Sequence, residues 1–158
     1  MATAFIVKGV SSGLLSTVSK ATLHTLSLTK SFYDHKTVNV GAIIRQMGLE
    51  RRLSLTHALV NRLSAHLVIE DSKSGKDYYV AQGDPVMVAL VYLQRVVQDI
   101  TVTLDALTDK VDAHSSKWFH KWRQLSIETL LETLKVQDAS LKDQFEELLR
   151  LLCFLEKK

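Results

Sequence analysis

Residues 35–83 read HKTVNVGAIIRQMGLERRLSLTHALVNRLSAHLVIEDSKSGKDYYVAQG, and the fold turns on how this stretch is divided. Asp34-His35-Lys36-Thr37-Val38-Asn39-Val40-Gly41 predicts a turn followed by a very short extended piece. Ile43, Ile44 and Met47 then fall at helical spacing, and Gly48 is placed to end that helix, because a C-terminal glycine accepts the left-handed conformation. Leu49–Leu53 predicts a turn, and Ser54 is a good N-cap for a second helix. At about 100° per residue, Leu59, Val60, Leu63 and Leu67 share one side of it, and His57, Ala58, Asn61, Arg62 and Ala65 the other. Beyond residue 65 the pattern changes. His66-Leu67-Val68-Ile69-Glu70-Asp71 and Asp77-Tyr78-Tyr79-Val80-Ala81 are β-prone runs around the polar, glycine-containing turn Ser72–Lys76, which predicts a hairpin.

Working outward, residues 1–33 hold no acidic residue and are rich in Ser and Thr, as transit peptides are. They also lack Arg. An integral first helix is expected instead, capped by Ser11 or Ser12, with Leu14, Leu15, Val18, Leu23 and Leu26 loosely on one side.

The expected order is helix, helix, short strand, helix, turn, helix, two-stranded hairpin, which is that of a winged helix-turn-helix. The residues resemble bacterial regulators of the MarR and PadR type. The resemblance rests on Thr37-Val38, Gly48-Leu49, Arg62-Leu63 and the run Tyr78-Tyr79-Val80 through Gly83. It implies a winged-helix DNA-binding domain over residues 1–83, acting in transcription regulation. Base reading needs polar side chains on a helix in the major groove, and Ser54, His57, Asn61 and Arg62 would supply them. Arg51 and Arg52 in the preceding turn would hold phosphates, and Lys73 and Lys76 at the wing tip would reach the backbone or minor groove. Double-stranded DNA is thus the expected partner. The alternative is a winged-helix adaptor that binds another protein in a phage, plasmid or chromosome-maintenance assembly.

Residues 84–158 have another character. Asp84-Pro85 is a helix start, and a long helix is expected over about 85–112. Its many apolar residues, from Val86 to Val111, imply burial on more than one side. A break near His114-Ser115-Ser116 opens the next helix, and Ser140–Asp143 has capping-box form, so a third helix is expected from there. The resemblance implies that these helices make a homodimer, which would set the spacing of two recognition helices. A helical layer packed back on the front half is the other arrangement. The fold class expected is therefore mostly α with a small β-hairpin.

Composition agrees with a globular chain. Of 158 residues, 46% are hydrophobic and 23% charged, which argues against disorder. Residues 1–83 carry a net charge of +5 and the rest −2, so a polyanion would meet the front half. Cys153, the one cysteine, needs no oxidising compartment, which fits a cytoplasmic protein, and its place on an apolar stripe predicts a buried, inert thiol. No apolar run approaches 18 residues, so no membrane span is expected. Phosphate loops, nucleophile elbows and zinc spacings are absent, so neither an enzyme nor a cofactor or metal is expected. His114 and His120, near Asp109 and Asp112, read as surface or capping histidines. Trp118, Phe119 and Trp122 read as interface core. Alternatively Trp118 and Trp122 line a pocket with Tyr92 for a small-molecule effector.

Overall fold

Five helices follow one another in the computed structural model: α1 (Ala2–Asp34), α2 (Val38–Met47), α3 (Leu49–Lys73), α4 (Pro85–Ser115) and α5 (His120–Glu156). The structure describes the backbone of residues 2–34, 38–73, 85–115 and 120–156, and the side chains of 13–33, 40–64, 85–113 and 127–154. Among the described residues there is no strand.

That corrects the winged-helix expectation. His66–Asp71, the first strand of the expected wing, lies inside α3, which runs unbroken to Lys73. The second run, 77–81, lies outside the described residues. The reason is legible in α3. Leu49, Leu53, Thr56, Val60, Leu63 and Leu67 alternate steps of four and three, the spacing of one helical face. β-branched residues such as Val68 and Ile69 cost a helix only about 0.5 kcal/mol each, too little to stop it. The expected turn over Leu49–Leu53 is also helical, and Ser54 caps nothing. Val38, expected as extended, opens α2.

Gly48 alone separates α2 from α3. Its φ is +75°, its N–H donates to the Arg45 carbonyl at 3.2 Å, and its own carbonyl accepts from the Arg52 N–H at 3.2 Å. One left-handed residue therefore ends one helix and starts the next, as the glycine predicted for the first of those roles. α1 begins well before Ser11 and Ser12. Its Leu15, Val18 and Leu26 are buried, while Leu23 faces out. Pro85 opens α4 as expected. The break expected at Ser140 is absent: Leu134, Leu141 and Leu148, one heptad apart, are all fully buried, so the seam of α5 passes straight through it.

α4 packs against both α1 and α5, α1 also lies along α3, and α2 braces the corner between α1 and α3. Ser19 meets Asn61, and Lys30 lies 3.9 Å from Glu50, so α1 and α3 run antiparallel. All five helices feed one apolar core. In α4 the buried set Val86, Leu90, Leu93, Val97, Ile100, Leu104, Leu107 and Val111 keeps the four–three alternation throughout. On α1 the corresponding face carries threonines. Thr22, Thr25 and Thr29 are fully buried, and each hydroxyl donates to the carbonyl four residues back, at 2.6–2.8 Å. That satisfies the buried polar atoms and keeps the face small. The hydroxyls of Thr25 and Thr101 then lie 2.7 Å apart across the α1–α4 contact.

Candidate interaction surfaces

Of the residues expected to read DNA, Arg52, His57 and Asn61 make contacts within the fold, while Arg51, Ser54 and Arg62 stay exposed. Arg52 lies on the inward side of α3. Its Nη1 pairs with Asp138 Oδ2 on α5 and donates to the Met47 carbonyl at 3.2 Å. It therefore ties the C-terminus of α2 to α5. Asp138 is buried, and its Oδ1 has no hydrogen-bond partner.

His57 and Asn61 are taken up by α1. Ser19 Oγ donates to Asn61 Oδ1 at 2.7 Å, Asn61 Nδ2 and His57 Nε2 are 3.0 Å apart, and His57 Nδ1 lies 3.5 Å from Ser19 Oγ. With the proton on Nδ1, the three side chains close a ring of donors and acceptors. The serine hydrogen points to the amide oxygen and not to the imidazole, and no carboxylate orients the histidine. The group fastens α1 to α3 and has no activated nucleophile.

Arg51, Ser54 and Arg62 remain exposed on α3, beside Leu55 and Ala58. The Lys73 side chain and all of Lys76 lie outside the described residues, as do Trp118 and the Trp122 side chain. Tyr92 is 50% exposed on the outer side of α4, with the Arg95 guanidinium 5.8 Å from its ring centre. Cys153 is exposed, which corrects the expectation of a buried thiol. No group of three metal-ligating side chains occurs among the described residues.

The apolar residues from which burial on more than one side of α4 is expected include a second, exposed surface. Val88, Val91, Tyr92 and Val102 are 40–68% exposed on α4. Val88, Tyr92, Arg95, Asp99, Val102 and Ala106 repeat the four–three alternation two residues out of step with the buried seam, which puts them on the opposite face of the helix. The signal was there, since α4 carries two such series and a helix with one buried face needs only one. This double apolarity also makes Pro85–Ala113 long and apolar enough to cross a membrane by length and composition. A core helix meets the same criterion, and here Leu93, Val97, Ile100, Leu104 and Leu107 are packed inside the bundle.

At the corner of α1, α2 and α3, the Arg45 guanidinium lies 4.3 Å from the centre of the Tyr33 ring. The Tyr33 hydroxyl is buried beside the Glu50 carboxylate. Burial, then the neighbouring Glu50 carboxylate, pushes its pKa up to about 12.

No protein-family model matches the chain, so the resemblance to the MarR and PadR regulators gains no support there. No solved structure matches it either. The chain is similar to the uncharacterized protein L717 of Acanthamoeba polyphaga mimivirus, 26% identical over 167 aligned residues that cover 97% of this chain and 81% of that protein.

Proposed function

We propose that the chain is a non-catalytic helical interaction module whose working surface is the outer face of α4. The observation that carries this reading is the exposed series Val88, Tyr92 and Val102 on a helix already packed on α1 and α5. Aromatic and aliphatic side chains in a row give a partner apolar surface to bury, at roughly 25 cal/mol per Å². The polar groups best suited to chemistry are meanwhile engaged within the fold: Arg52 with Asp138, and His57 and Asn61 with Ser19.

A photoreactive amino acid at Val102 tests the reading. It should crosslink to a polypeptide, identified by its linked peptide, while the same group at Ser54 on α3 should not. Capture of no polypeptide at Val102 defeats it.

One observation favours a second reading, contact with a polyanion. Arg51 and Arg62 are exposed on one face of α3, and the residues between them on that face, Ser54, Leu55 and Ala58, bring no negative charge. Duplex DNA would then bind with an affinity that falls steeply with salt. Arg51→Ala and Arg62→Ala would each flatten that slope, and a slope near zero for the unaltered chain removes this reading.

A further inference from the structure

We infer that the partner for the outer face of α4 is a second copy of this chain, paired through α4 in antiparallel register about a two-fold axis level with Val97. This rests on the reading of α4 as an interaction surface and names its occupant.

The argument is one of self-complementarity. In a two-fold antiparallel pair, residue i meets residue j and j meets i. Centred on Val97, the register sets Arg95 against Asp99 of the second copy, and Tyr92 against its Val102. Both contacts occur twice. The apolar contacts thus flank a central pair of opposite charges, and no like charges meet.

Within the single chain Arg95 and Asp99 are four residues apart, yet they form no ion pair: Arg95 lies over Tyr92. Both are exposed, so each is available to the copy. Shape agrees with charge. Val88, 44% exposed, is set against Ala106, and Ala106 lines a shallow depression with Asp109, Lys110 and Ala113. A knob at one end of the seam meets a hollow at the other. Val88 and Ala106 are about 27 Å apart along α4, at 1.5 Å per residue, enough for five helical turns of contact.

The charge pair supplies the test. Arg95→Glu sets two carboxylates against each other at both contacts and should leave the chain monomeric. Asp99→Arg sets two guanidinium groups against each other and should do the same. Mixed together, the two variants should form a heterodimer. The introduced carboxylate of one then meets the introduced guanidinium of the other, and the unaltered Asp99 of the first meets the unaltered Arg95 of the second. Sedimentation or light scattering of the purified full chain should give twice 17.8 kDa for the unaltered protein, 17.8 kDa for each variant alone, and the doubled mass for the mixture.

A cysteine pair checks the register independently of charge. In a Cys153→Ser background, Tyr92→Cys with Val102→Cys should give a covalent dimer on mild oxidation, while either alone should not. A monomeric unaltered chain at high micromolar concentration overturns the inference. So does a dimer indifferent to Arg95→Glu, or a mixture that stays monomeric. A monomeric chain that still crosslinks a different polypeptide through Val102 sinks the homodimer and leaves the interaction module standing; no crosslink to any polypeptide sinks both.

Discussion

Gly41 and Gly13 are both helical, but their surroundings give them opposite predictions. A Cβ on Gly41 would stand 2.6 Å from the Phe32 carbonyl oxygen, and backbone cannot swing aside. Gly41→Ala should therefore cost about 1–3 kcal/mol by forcing α2 away from α1. A Cβ on Gly13 meets nothing within 4 Å, so Gly13→Ala should stabilise by about 0.5–1 kcal/mol. Urea denaturation of the two variants reads both signs. Asp138 is a different case. Removing its carboxylate leaves the Arg52 guanidinium facing apolar α5, but Arg52 is one-third exposed and water can reach it. Asp138→Ala should cost about 2–3 kcal/mol, at or below the low end for a fully buried pair. The double variant with Arg52→Ala should lose less than the sum of the two single losses, measured in a double-mutant cycle.

Tyr33 gives a pH dependence with a definite sign. Its folded pKa of about 12 stands above the usual tyrosine value of 10.0. The folded state therefore holds this proton more tightly than the unfolded chain does. Its contribution is fully present below pH 10 and is lost as pH rises from 10 towards 12. Tyr33→Phe should make stability flatter over that window, as followed by urea titrations at successive pH values. An unchanged pH profile would show that Tyr33 is not the titrating group.

At the scale of the element, α3 decides between this fold and a winged helix. A proline at position 68 would remove a helical N–H and clash with the preceding turn, a cost of about 3 kcal/mol in a helix interior. Val68→Pro should therefore lower the helical signal at 222 nm. If residues 66–71 were a wing strand, that signal would be unchanged. The continuity of α3 and α5 was readable. In each, the alternation of four and three passes through the serine that looks like a cap, Ser54 in α3 and Ser140 in α5. A cap contributes about 1 kcal/mol, while each large apolar side chain buried along an unbroken face contributes roughly 1.5–3 kcal/mol. The stripe wins wherever the two disagree. Gly48 really does end a helix, because there the backbone itself must turn left-handed.

For the whole molecule, one core draws on all five helices. Leu93 is fully buried at the centre of α4, and Leu93→Ala should cost about 2–5 kcal/mol. Because the core is shared, the loss should appear as one cooperative transition shifted to lower temperature, with far-ultraviolet dichroism and tryptophan fluorescence melting together. Separate transitions would show that the front and rear helices unfold independently.

Local chemistry by itself determined the helical class of the rear half, the stop at Gly48, the start at Pro85 and the deep burial of α4. Each follows from backbone freedom or from residue spacing within a few turns, and needs no knowledge of neighbours. Packing alone decided the fate of Arg52, which found Asp138 86 residues away, and of His57 and Asn61, which found Ser19. It also decided which of the two apolar series on α4 faces inward. A side chain's type says what it can bond to, but only the folded chain sets which partner lies within reach, and electrostatic and hydrogen-bond energies fall off over a few ångströms.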